Sequence, residues 1–112
     1  MIKDILKDQP EMINERLRRA DNKSPLMLAC QAGDPECVQL LIDNGAELDA
    51  ADVFGRTALM LAAKYDIPEV IKMLLKENTK LIKDVSEQNM DALMYAAEAG
   101  STGAVVSFFM VV

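Results

Sequence analysis

Three stretches of this chain are near copies of one another. Ser24-Pro25-Leu26-Met27-Leu28-Ala29-Cys30, Thr57-Ala58-Leu59-Met60-Leu61-Ala62-Ala63 and Asp91-Ala92-Leu93-Met94-Tyr95-Ala96-Ala97 align at offsets of 33 and then 34 residues. A fixed period of this length leaves few architectures open, because each unit is a small element that buries its apolar side only by stacking on its neighbour. Each stretch reads as the start of a helix. Ser24, Thr57 and Asp91 are good N-caps, whose side-chain oxygen accepts from a free backbone N–H of the first turn, and Pro25 suits the first helical position. Leu26, Leu59 and Leu93 precede Ala29, Ala62 and Ala96 by three residues, so the two types share one face, where alanine permits close helix approach. That face is the expected core.

A second helix comes next in each unit, over Pro35-Glu36-Cys37-Val38-Gln39-Leu40-Leu41-Ile42, Pro68-Glu69-Val70-Ile71-Lys72-Met73-Leu74-Leu75 and Thr102-Gly103-Ala104-Val105-Val106-Ser107-Phe108-Phe109. The first pair is followed by Asn44-Gly45, suited to a left-handed backbone and a sharp reversal; Asn78 is expected to hold the same left-handed place after the second pair. Asn22, Gly55 and Asn89 align just before the first helices, again as residues that tolerate positive φ.

A turn followed by two antiparallel helices at this period resembles the ankyrin repeat. Asp52 through Ala63, followed by Glu69-Val70-Ile71-Lys72-Met73-Leu74-Leu75, matches that pattern closely, and Asn44-Gly45-Ala46-Glu47-Leu48-Asp49-Ala50 looks like the family's linking hairpin. The resemblance covers residues 20–112 and implies an all-α helical repeat solenoid, antiparallel helix pairs linked by β-hairpin-like turns. One departure is systematic: the histidine that usually comes after Thr-Pro-Leu is replaced by Met27, Met60 and Met94. The polar ties made there are expected to be missing, and all three methionines are expected to be buried as core.

The expected organisation is a single domain over 1–112, with an N-terminal half-repeat or cap over 1–19 and repeats over 20–50, 51–84 and 85–112, the last truncated or complete. Ile2-Lys3-Asp4-Ile5-Leu6-Lys7-Asp8 mirrors Ile71-Lys72-Met73-Leu74-Leu75-Lys76-Glu77, and its charges suit an end that faces water. At the other end no charge occurs after Glu98, and Val105 to Val112 is very apolar. Two readings stand: an array cut short, or a terminal helix that docks a partner or a second copy.

Catalytic chemistry finds little support. The chain has no histidine, so neither Cys30 nor Cys37 has an imidazole base beside it, and neither belongs to a CxxC or Cys/His set that would hold zinc. Both are expected as buried, reduced thiols. Glu36 and Glu69 recur early in the second helices, where a carboxylate favours the helix dipole. Gly33, Gly45, Gly55, Gly100 and Gly103 fall at helix ends and turns, and no nucleotide-binding or metalloprotease motif occurs. No catalytic residue, cofactor or metal is expected, and the chain is not expected to be an enzyme. With 12 basic and 18 acidic residues the net charge is -6, which disfavours nucleic acid and anionic membranes. Arg16, Arg18 and Arg19 cluster, but Glu11, Glu15 and Asp21 surround them. The start lacks a signal-peptide pattern and no apolar run spans a bilayer, so the cytosol is the expected compartment.

In a stacked array the hairpin tips and the exposed face of each first helix vary without disturbing the fold. The family resemblance places a concave protein-recognition surface there. Residue by residue it implies Asp21, Lys23 and Gln31 in the first unit, Val53, Phe54, Arg56, Lys64 and Tyr65 in the second, and Glu87, Gln88, Met90 and Glu98 in the third. Phe54, Arg56 and Tyr65 are the expected centre, since aromatic residues and arginine dominate interface energetics. The expected function is a non-enzymatic scaffold or adaptor binding a protein partner. The alternatives are a regulatory or targeting segment of a larger enzyme such as a kinase, and a self-associating unit.

Overall fold

A computed structural model describes residues 21–111, without the side chain of Val111. The half-repeat expected over 1–19 and the cluster of Arg16, Arg18 and Arg19 lie outside the described residues. Six α-helices are described, α1 Pro25–Ala32, α2 Pro35–Asp43, α3 Ala58–Lys64, α4 Pro68–Glu77, α5 Ala92–Ala99 and α6 Thr102–Val111, with a 3-10 helix, η1, over Thr79–Lys83. The first helices stack as an inner row, α1 on α3 and α3 on α5, and the second helices as an outer row, α2 on α4 and α4 on α6. No strand occurs among the described residues; the link before α3 closes with an isolated antiparallel bridge, Ala51 to Thr57. The all-α repeat architecture implied by the family resemblance is the one observed.

Each inner helix starts as its N-cap residue dictates. Ser24 Oγ accepts from Met27 N at 3.3 Å, Thr57 Oγ1 from Met60 N at 3.4 Å, and Asp91 Oδ1 from Met94 N at 2.8 Å. Caps of this kind contribute about 1 kcal/mol each. In α3 the tie is reciprocal, because Thr57 N donates to Met60 Sδ at 3.4 Å. The polar contact expected to vanish with the histidine therefore survives in weak form, sulfur being a poor acceptor.

Two expectations about particular positions fail. Asn78 is not left-handed: its φ is -156°, and its Oδ1 accepts from Lys80 N at 3.0 Å to start η1. The cause is that α4 has 10 residues where α2 has 9, so the chain leaves the helix one residue later and winds directly into η1, plugging Leu81 into the core. Met94 is not buried. Met27 and Met60 are each 1% exposed, whereas Met94 is 50% exposed, because α1 and α3 each have another inner helix stacked beyond them and, among the described residues, α5 does not.

The outer helices are joined across repeats as well as along the chain. Asp66, left-handed at φ +58°, aims its carboxylate at the start of α6, where Oδ1 accepts from Ala104 N at 2.8 Å. Ser101 Oγ donates to the Lys64 carbonyl at 3.1 Å. Gly103 permits this approach, since a Cβ there would stand 3.0 Å from both Asp66 Oδ1 and Pro68 Cγ.

Neither cysteine is in a disulfide, and the burial expected for both holds only for Cys30: Cys37, near the start of an outer helix, is half-buried. Burial, then the neighbouring Cys37, pushes the Cys30 thiol far above its ordinary pKa; burial, then Asp34, raises Cys37. The thiolate is the reactive form. An alkylating reagent at pH 8 should thus modify Cys37 slowly in the native protein and Cys30 only after denaturation, read by mass spectrometry of time points; equal rates would contradict this packing.

Candidate functional site

The two fully described hairpin tips are built on the same plan with different polar groups. In the tip before α3, the Asp52 carboxylate is wholly buried, and its Oδ1 accepts from Phe54 N at 3.0 Å and from Arg56 N at 2.9 Å. Asp52 N donates to the Arg56 carbonyl at 2.9 Å, and Gly55 N to the Asp52 carbonyl at 3.0 Å, with Gly55 at φ +76°. Before α5, Ser86 takes the place of Asp52: Ser86 N donates to the Met90 carbonyl at 3.0 Å, and Ser86 Oγ accepts from Gln88 N at 3.3 Å and from Tyr95 Oη at 2.9 Å. Successive tips are tied by backbone bonds, Val53 N to the Asp21 carbonyl at 2.9 Å and Glu87 N to the Phe54 carbonyl at 3.1 Å. At this crossing a Cβ on Gly55 would lie 2.7 Å from Glu87 N, so only glycine lets the tips meet.

Arg56 is a brace. Its side chain is 12% exposed, with Nε 2.9 Å from Asp52 Oδ2, Nη2 3.9 Å from Asp21 Oδ2, and the guanidinium 4.9 Å from the centre of the Phe54 ring. Cation–π contact and the Asp52 bonds together hold Phe54 in place while leaving it 46% exposed. Lys64 Nζ lies 5.6 Å from the centre of the exposed Tyr65 ring.

Between the second and third units these groups border a cleft of about 370 Å3, lined by Phe54, Arg56, Lys64, Gln88, Tyr95, Glu98 and Ala99. An aromatic lip, an aromatic wall bearing a hydroxyl, two cations and one anion thus converge on one concavity. This suits non-covalent capture of an amphipathic side chain. Among the described residues no three His, Cys, Asp or Glu side chains gather as a metal site, and no helix is long and apolar enough to cross a membrane.

The family model described as ankyrin repeats, three copies, matches residues 1–84 of the 112. The chain belongs to the ankyrin repeat family. Ankyrin repeats are generally protein–protein interaction modules and are not themselves catalytic. The match ends before the third repeat, whose helices α5 and α6 nonetheless reproduce the geometry of the preceding pairs. Similar proteins include ankyrin repeat and SAM domain-containing protein 6 of Mus musculus, 38% identical over 69% of this chain and 9% of the relative. NF-kappa-B inhibitor delta of the same species is 32% identical over 69% of this chain and 23% of its own length. The E3 ubiquitin-protein ligase XBAT33 of Arabidopsis thaliana is 36% identical over 69% of this chain and 15% of its length. The chain therefore spans less than a quarter of each of these relatives.

Of the residues expected on the ankyrin recognition face, Phe54, Arg56, Lys64, Gln88 and Glu98 meet at the cleft. Tyr65 and Val53 are exposed beside it, Glu87 is exposed with its amide engaged by Phe54, and Met90 is half-buried. Asp21 is at the surface, but Lys23 is buried against the tip, with Nζ 3.6 Å from Asp21 Oδ2. Gln31 is half-buried and does not line the cleft. Tyr95, Ala99, Asp52 and Ser86 were not anticipated. The Asp52-x-x-Gly55 spacing was a usable turn signal, since aspartate at the first position of a turn accepts from amides two and more residues on. Ala99 occupies the place that Tyr65 holds one repeat earlier and lines the cleft with a smaller side chain.

Proposed function

We propose that this ankyrin segment is a non-catalytic adaptor or scaffold that grips a protein partner through the hairpin tips and inner-helix face of its second and third repeats. The observation that carries the reading is Phe54, an exposed aromatic ring pinned by Arg56 at the lip of the cleft. A rigid apolar group loses little conformational freedom on binding, so more of its contact energy appears as affinity. Lys64 and Glu98 bring opposite charges to one concavity, which favours a partner segment of mixed charge over a polyanion. The unpaired cysteines fit a reducing compartment, and the cytosol is the one we propose.

A second reading rests on length. This chain is a small fraction of relatives that include proteins described as E3 ubiquitin ligases. In that reading the repeats regulate or target an enzyme whose catalytic part lies elsewhere.

The test is a pull-down from source-cell extract, quantified by mass spectrometry, comparing wild type with a Phe54→Ala, Lys64→Ala, Gln88→Ala triple variant. Arg56 is left intact because it braces Asp52. Partner retention should fall about tenfold or more, as truncating an aromatic anchor costs upward of about 1.4 kcal/mol. An outer-row variant, Lys72→Ala, should retain partners. Equal retention by both variants would refute the concave assignment.

A further inference from the structure

We propose that the cleft reads the order of charges in its partner: an extended segment bound there sets an acidic side chain against Lys64 and a basic one against Glu98. This ordering presupposes that the cleft is the recognition surface, and it adds the chemistry and orientation of what is recognised. Three of the lining residues are charged, and they are not equivalent. Arg56 is already neutralised, with Nε 2.9 Å from Asp52 Oδ2 and Nη2 3.9 Å from Asp21 Oδ2. Lys64 and Glu98 are not. Among the described residues neither side chain forms an ion pair or a hydrogen bond, with the other or with any neighbour. The Lys64 ammonium lies 5.6 Å from the centre of the Tyr65 ring, a weak contact that leaves its charge uncompensated.

The two charges occupy matching places in successive repeats. Gln31, Lys64 and Glu98 stand in the last turns of α1, α3 and α5, so one column along the inner row runs neutral, positive, negative. Lys64 and Glu98 are thus displaced along the array by one helix spacing, about 8–10 Å. About three residues of extended chain cover that distance. Glu87, exposed on the tip of the third repeat, has the same sign as Glu98. The uncompensated charge is therefore positive on the second-repeat side of the cleft and negative on the third-repeat side, with Phe54 and Tyr95 supplying aromatic surface between. A segment carrying its acid and base in the opposite order would bring like charges together at both ends, and such juxtaposition is what rejects wrong partners.

The test displays random short peptides to the immobilised full chain and keeps those whose capture is lost with Phe54→Ala. Fluorescence anisotropy then compares a kept peptide with the same peptide after its acidic and basic residues are exchanged. Both are measured on wild type and on the Lys64→Glu, Glu98→Lys double variant, which keeps the net charge at -6. Kept peptides should carry an acidic and a basic residue roughly two to four positions apart. Exchanging the two should weaken binding to wild type about tenfold, and the double variant should reverse that preference. The neutral variants Lys64→Gln and Glu98→Gln, made singly, should each cut the preference to about threefold. Phe54-dependent peptides that lack such a pair, or that bind equally in both orders, would overturn the charge order and leave the cleft as the recognition surface. No captured peptide, or none that needs Phe54, would overturn both.

Discussion

Asp52→Ala is expected to lower folding stability by about 3 kcal/mol, and Tm by about 15 °C, in thermal or urea unfolding. The carboxylate accepts three hydrogen bonds from inside the tip, two from backbone amides and one from Arg56 Nε. Removing it leaves both amides and a largely buried guanidinium without their main acceptor. A hydrogen bond to a charged group contributes about 1.5–3 kcal/mol, and an uncompensated buried charge costs about 3–5 kcal/mol. The lower part of the combined range applies because Arg56 retains a distant contact with Asp21 at 3.9 Å and keeps some access to water. Ser86→Ala, at the matching place one repeat on, loses only neutral bonds and should cost about 1 kcal/mol. A ratio near unity for the two variants would show that Asp52 does not organise its tip. Because Phe54 hangs from this tip, Asp52→Ala should also weaken partner binding in protein that remains folded.

Met60→Ala should cost about 3 kcal/mol, while Met94→Ala, the same change at the equivalent place one repeat later, should cost under about 1 kcal/mol. Met60 is enclosed between successive inner helices and lends its sulfur to the start of α3, so truncation creates a cavity and removes a weak cap. Met94 faces out from the end of the stack and has little to lose. Denaturant midpoints of the two variants measured side by side check this. Equal losses would mean that the end of the array is more enclosed than α5 indicates.

The contrast between these methionines also shows which features were legible in the sequence. Helix starts were, because a cap is a local matter between one side chain and the next turn, and Ser24, Thr57 and Asp91 carry it within four residues. The positive φ of Asn22, Gly55 and Asn89 was legible for the same reason. Exposure of Met94 was not, because it depends on whether another repeat is stacked there, which no property of the local segment encodes. Asn78 was misplaced because a single extra residue in α4 redirects the chain into η1. Within the candidate site, Phe54, Lys64, Gln88 and Glu98 could be read from the sequence, but the role of Arg56 could not. A tip arginine reads as a contact residue until the buried carboxylate four positions earlier is seen holding it. Lys23 likewise folds back onto the tip to reach Asp21, a choice between solvent and pairing that residue type alone does not decide.

Recognition of partners across the cleft between the second and third repeats is the proposal on which the rest depends. A photo-crosslinking benzoyl-phenylalanine placed at Gln88, on the cleft, and separately at Lys72, on the outer row, probes it in extract of the source cell. Discrete crosslinked species are expected from position 88, disappearing when Phe54→Ala is added, and none from position 72. Crosslinks from position 72 alone, or species at position 88 that are indifferent to Phe54→Ala, would contradict it.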